Sequence, residues 1–142
     1  MSKREQVLNA LFTRLSVLPD VKVKRNETLP LVVPSAGLLI LRDGKQGEPE
    51  YVLSPPLCVF HHEAELEILV QAASAAERDK RLDEILENVA NALSLSGALE
   101  GLVDCVYPKS PEIIEEFIEG APDIKAAVVP IVLEYTTTNS LL

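Results

Sequence analysis

Hydrophobic positions recur along the chain in two periods. Leu8, Leu11, Phe12 and Leu15 follow the i, i+3, i+4, i+7 spacing of one helix face. Ser2 stands ahead of them as an N-cap with Glu5 three residues on, and Pro19-Asp20 ends the segment. Leu82, Ile85, Leu86, Val89 and Leu93 repeat the pattern behind a second S-x-x-E box, Ser74 to Glu77. That helix is expected to run to about Ser96, with Gly97 as its C-cap.

Between the helices the period drops to two. In Val21-Lys22-Val23-Lys24-Arg25, valine alternates with a base, as in a half-buried strand near a sheet edge. Gly37 to Arg42 is a short apolar run. With Glu50 to Ser54 it is expected to form a hairpin around the polar tip from Asp43 to Pro49. After Pro55-Pro56 comes a long strand, Leu57 to Ala72. Phe60, His62, Ala64, Leu66, Ile68 and Val70 fall on one face of it, and His61, Glu63, Glu65 and Glu67 on the other. Leu102 to Tyr107 reads as a short strand. Ser110-Pro111-Glu112 opens a short helix bearing Ile113, Ile114 and Phe117, with Gly120 after its end. Ile124 to Thr138 closes the chain as a strand apolar on both faces, and Pro130 within it demands an edge position or a bulge. The expected architecture is α+β: one domain over 1–142, with a mainly antiparallel sheet of about four to six strands and two long helices packed on it.

Composition narrows the function classes. A chain of 142 residues suits one domain. No apolar run reaches the ~18 residues of a membrane span, and the N-terminus lacks a secretory pattern. Thirteen basic against 22 acidic residues give a net charge of −9. That balance disfavours nucleic-acid phosphates and anionic membranes as partners. Cys58 and Cys105, 47 positions apart, match no metal spacing and read as reduced packing thiols.

No phosphate-binding glycine loop, nucleophile elbow or HExxH is present. His61, His62 and Glu63, with Glu65 and Glu67 beyond, are the one cluster that could suggest an enzyme or ligand site. Adjacent strand residues point to opposite faces, and ligands spaced along one straight strand diverge. The sequence therefore calls for no catalytic residue, metal or cofactor.

Several stretches together resemble the tail terminator (minor tail) proteins of long-tailed bacteriophages and prophages. They are Leu18-Pro-Asp-Val21, Val21 to Glu27 (VKVKRNE), Arg42-Asp-Gly44 and the H-x-x-x-L-x-I-L-V strand from His62 to Val70. Arg81 to Val89 (RLDEILENV) and Val132 to Thr137 (VLEYTT) complete the set. The resemblance covers nearly the whole chain. It implies a non-catalytic virion tail protein, assembled in the bacterial cytoplasm. It also implies a hexameric ring that caps the tail tube, stops its polymerisation and offers a surface to the head–tail connector. The implied partners are other copies of itself, the tube protein and the connector. Another head–tail joining or tail-completion protein, or a small enzyme or ligand-binding domain using His61, His62 and Glu63, are the alternatives. In a ring, six copies at −9 carry six times that charge, −54. The row Glu63, Glu65, Glu67 would then face either the lumen or Lys22, Lys24 and Arg25 of a neighbour. These six residues are the candidate interface or lumen positions.

Overall fold

The computed structural model describes residues 1–28, 33–94, 98–114 and 123–142. Helix α1, Lys3–Ser16, starts where Ser2 Oγ accepts from the Glu5 N–H at 3.2 Å, and it buries Val7, Leu8, Leu11 and Leu15. Helix α2, Ala75–Leu93, starts the same way, with Ser74 Oγ accepting from the Glu77 N–H. It ends at the C-cap Ser94, short of the expected Ser96; Gly97 lies outside the described residues. Its buried stripe is Leu82, Ile85, Val89, Ala92 and Leu93, and Leu86 is only half-buried at the stripe's margin.

All seven described strands belong to one sheet: β1 (Lys22–Arg25), β2 (Leu38–Lys45), β3 (Glu50–Leu53), β4 (Pro56–Gln71), β5 (Cys105–Pro108), β6 (Glu112–Ile114) and β7 (Ile124–Thr137). The main order is β1-β2-β4-β7-β5, with β3 added to β4 and β6 to β7. The spine is the antiparallel pair β4–β7, in register from Cys58 opposite Thr137 to Gln71 opposite Ile124.

The expected sheet of four to six strands under two long helices is overturned. Among the described residues there are seven strands, and of the two helices only α2, with 19 residues, is long; α1 has 14. The strand count rises because β4 and β7, 16 and 14 residues long, each accommodate two short strands end to end along one side. Strands β2 and β3 share β4 in this way, and β5 and β6 share β7. The segment read as a helix from Ser110 begins as β6, where the β-branched pair Ile113-Ile114 favours a pleated edge over a helical turn. Residues 115–120 of that reading lie outside the described residues.

Two pairings also differ from expectation. Strand β1 runs parallel to β2, because the connection from Asn26 to Gly37 is long enough to bring the chain back to the same end. Strand β2 pairs with β4, and the tight hairpin is β3–β4 around Ser54-Pro55. The β2 register slips between Arg42 and Lys45, where Gly44 adopts φ +67° and a Cβ would stand 2.0 Å from the Glu63 carbonyl oxygen. Only glycine allows that bulge. Pro130 lies in the central strand β7, opposite the break between β5 and β6. There Lys109 N–H donates to the Pro130 carbonyl at 2.8 Å, and the proline nitrogen meets no ladder acceptor.

Both helices pack on one face of the sheet. The core there is aliphatic, joined by Phe60 and Tyr135, whose rings stand 5.6 Å apart. On the opposite face Val33, Leu38, Ile40 and Leu69 form a small second cluster near the top of β2 and β4. Among the described residues no helix packs on that face, which is called the open face below. Among the described residues no helix is long and apolar enough to cross a membrane.

Candidate functional site

The alternation of β4 sorts the polar cluster onto two faces. His62, Phe60, Ala64 and Leu66 point under the helices, whereas His61, Glu63, Glu65 and Glu67 point to the open face. Neighbouring strands then set the partners of each acid. Glu67 takes a forked contact from Arg42 of β2, Nε to Oε1 at 2.8 Å and Nη2 to Oε2 at 3.2 Å. This pairing raises the Arg42 pKa, with the Glu67 hydrogen bonds as its first cause. Glu63 meets Lys109 Nζ at 3.0 Å from the segment after β5. Glu65 stands opposite Pro130 and makes no ion pair among the described residues. The acidic row is thus partly neutralised within its own chain.

His61 lies 3.1 Å from Glu134 Oε1 through Nδ1 and 3.8 Å from Glu50 Oε1 through Nε2, and it is about half exposed. His62 is buried. Its Nε2 donates to the Asp43 carbonyl at 2.5 Å, so its Nδ1 accepts from Tyr135 Oη at 2.8 Å. Tyr135 Oη accepts in turn from Gln46 Nε2 at 3.1 Å. Burial pushes the His62 pKa down and the Tyr135 pKa up. Both ring nitrogens of His62 are occupied, and the Asp43 contact ties the β2 bulge to β4.

The basic candidates separate. Lys22 and Lys24 lie on the open face at the β1 edge. Lys24 shares a row with Ile40, Glu67, Val128 and Glu112 across the sheet. Arg25, one residue on, points to the helix face. It binds Glu5 of α1 at 2.6 and 3.1 Å, Asn9 at 3.0 Å and Asp43 at 3.0 Å. The Glu5 hydrogen bond comes first among the causes that raise the Arg25 pKa, and the same bond holds the Glu5 carboxyl below its usual range. Arg25 therefore locks α1 to the β1 edge and the bulge, apart from the two lysines.

Among the described residues no group of three or more His, Cys, Asp or Glu side chains converges as metal ligands do. Cys58 is buried and Cys105 half-buried, and both are free thiols. An open groove of about 480 Å³ between the α1–β1 turn and α2 is lined by Asp20, Ser35, Arg81, Glu84 and Asn88. Its one cation, Arg81, is committed to the Ser35 and Gln71 carbonyls and to Glu77.

Two exposed apolar surfaces lie outside the site residues that the sequence predicts. Tyr51, Val52 and Leu53 of β3 are 64%, 43% and 84% exposed, an apolar hairpin arm at the bottom of the sheet. Ile113 and Ile114 of β6 are exposed at its outer edge. The signal for the first was an apolar triplet directly before Ser-Pro-Pro. For the second it was two adjacent β-branched isoleucines, a pair that favours a strand over the helix expected there. No protein-family model matches the sequence and no curated protein matches it, so the functional reading rests on this geometry and on the resemblance in local wording.

Proposed function

We propose that this chain is a non-catalytic assembly protein of the tail terminator kind. Six copies form a ring on the end of a phage or prophage tail tube, end its polymerisation and present a surface to the head–tail connector. Its place is the virion tail, and it assembles in the host cytoplasm. The observation that carries the reading is the β3–β4 arm. Three consecutive apolar side chains stand exposed on a strand whose outer edge pairs with no described strand, and a protein that works alone seldom keeps such a surface. Among the described residues, the outer sides of β1 and β6 also pair with no strand. The polar clusters support the same reading from the other side. His61 and His62 face opposite ways and are engaged with Glu134 and with Tyr135 and Asp43, and among the described residues no serine, threonine or cysteine is hydrogen-bonded to either. The net charge of −9 favours protein partners over nucleic acid.

The arm is the part that meets the tube protein. Tube protein polymerised with this chain should give short, capped tubes in electron micrographs, and Leu53→Asp should restore the uncontrolled lengths seen without it. Tubes whose lengths ignore the wild-type chain would refute the assignment.

A further inference from the structure

The upper part of the sheet is flush. Strands β1, β2, β4, β7 and β6 share the same rows, so one row starts at Lys24 and ends at Glu112. The next starts at Val23 and ends at Ile113, and a third starts at Lys22 and ends at Ile114. Among the described residues, no strand pairs with the outer side of the edge at either end of these rows. We propose that these edges join head to tail between copies of this chain: β6 of one copy pairs antiparallel with β1 of the next, Ile113 opposite Val23 and Glu112 opposite Lys24. The inference rests on the ring reading in taking a second copy as the partner.

Four features fit together. The first is direction. Strand β6 runs antiparallel to β7, and β1 runs parallel to β2 and so antiparallel to β4, in the same sense as β7. A copy set beside another in the same orientation therefore brings β6 against an oppositely directed β1.

The second is backbone alternation. Lys22 and Asn26 N–H donate inward, to the Gly37 and Leu41 carbonyls. Val23 and Arg25 between them turn their N–H and C=O outward. On the other edge Lys109 N–H donates to Pro130 O, so even-numbered residues of β7 serve that side, and Ile113, opposite odd-numbered Ala127, turns its backbone groups outward. Val23 opposite Ile113 is then a doubly hydrogen-bonded pair.

The third is side-chain match. Ile113 meets Val23 on the helix face, while Glu112 meets Lys24 on the open face; among the described residues neither Glu112 nor Lys24 has an ion-pair partner within its own chain. The fourth is exclusion. Paired about Val23, two β1 edges would set Lys22 against Lys24 of the other copy, so like charge disfavours that contact; paired about Ile113, two β6 edges would set Glu112 against Ile114 and leave Glu112 without the cation that the head-to-tail contact supplies. Head-to-tail contacts close into rings when the rotation between copies allows.

Sedimentation velocity on the full chain at 0.15 M salt tests this with Lys24→Glu, Glu112→Lys and the double reversal. Each single reversal should weaken association about tenfold by placing like charges together, and the double should recover it. Ile113→Pro, which removes only an outward N–H and leaves the β6–β7 ladder intact, should weaken association as well. Rings indifferent to both single reversals, or a double reversal that recovers nothing, would overturn the edge pairing and leave the ring reading standing. Association that follows the charge pair yet yields open filaments would uphold the edge pairing and refute the ring. A wild-type chain monomeric at every concentration would overturn both.

Discussion

The helix face and the open face of the sheet are built from alternate residues of the same strands, yet they solve the problem of polar groups in opposite ways. Under the helices, polar side chains are few and fully used: His62 between Asp43 and Tyr135, and Arg25 between Glu5, Asn9 and Asp43. Among the described residues no buried side-chain nitrogen or oxygen lacks a hydrogen-bond partner. On the open face the charges are many, only partly paired and in water. The contrast separates residues that hold the fold from residues free to meet another protein. A histidine in this chain is a structural part or a surface group according to the parity of its number.

The largest difference should appear on truncation. Leu66→Ala, fully buried on the helix face, should cost about 2–5 kcal/mol in urea unfolding, because it leaves a cavity among packed side chains. Glu65→Ala, its neighbour on the open face, should change stability by less than about 0.5 kcal/mol. Equal costs would erase the distinction between the faces.

The next test compares two adjacent bases. Arg25→Ala removes charge-assisted bonds to a helix and a bulge, and should cost about 1–2 kcal/mol after allowance for partial exposure of the pair. Lys24→Ala should stay within about 0.5 kcal/mol. The Glu5 share of the Arg25 contribution is complete above its ordinary pKa of 4.5 and is lost as pH falls below it, since the folded-state pKa is the lower one.

A smaller effect concerns the two histidines. Burial lowers the His62 pKa below its ordinary 6.5, so the unfolded chain takes up that proton first. Stability is therefore complete above pH about 6.5 and declines as pH falls from there toward the folded-state value. In urea titrations between pH 7.5 and 5, His62→Gln should flatten the decline, and His61→Gln should retain it. A wild-type profile that rises on acidification would mean that His62 is protonated in the fold.

Several local elements were legible before the structure, while the sheet's strand count and the lengths of the helices were not. Both serine caps, the burial of Val89 and the parity of β4 follow from local chemistry, which acts within a few residues and leaves a short-range pattern. What was hidden is non-local. Nothing near Lys22 announces that β1 runs parallel to β2, since that depends on where a connection of a dozen residues leads. Leu86 fits the helix stripe as well as Val89 does, but only the sheet beneath decides which sits over the core. Edge strands are hardest of all: Tyr51 to Leu53 and Glu112 to Ile114 gain strand geometry from the long strands beside them. The separation of Arg25 from Lys24 was readable from parity alone, because in Val21 to Arg25 the final base falls on the valine face.

The central claim is that this chain works by assembling with copies of itself. Native mass spectrometry of the untagged protein, with negative-stain images of the same sample, tests it most directly. The account predicts a six-copy species that appears in the images as closed rings. A monomer that persists as concentration rises, with no rings in the images, would contradict it.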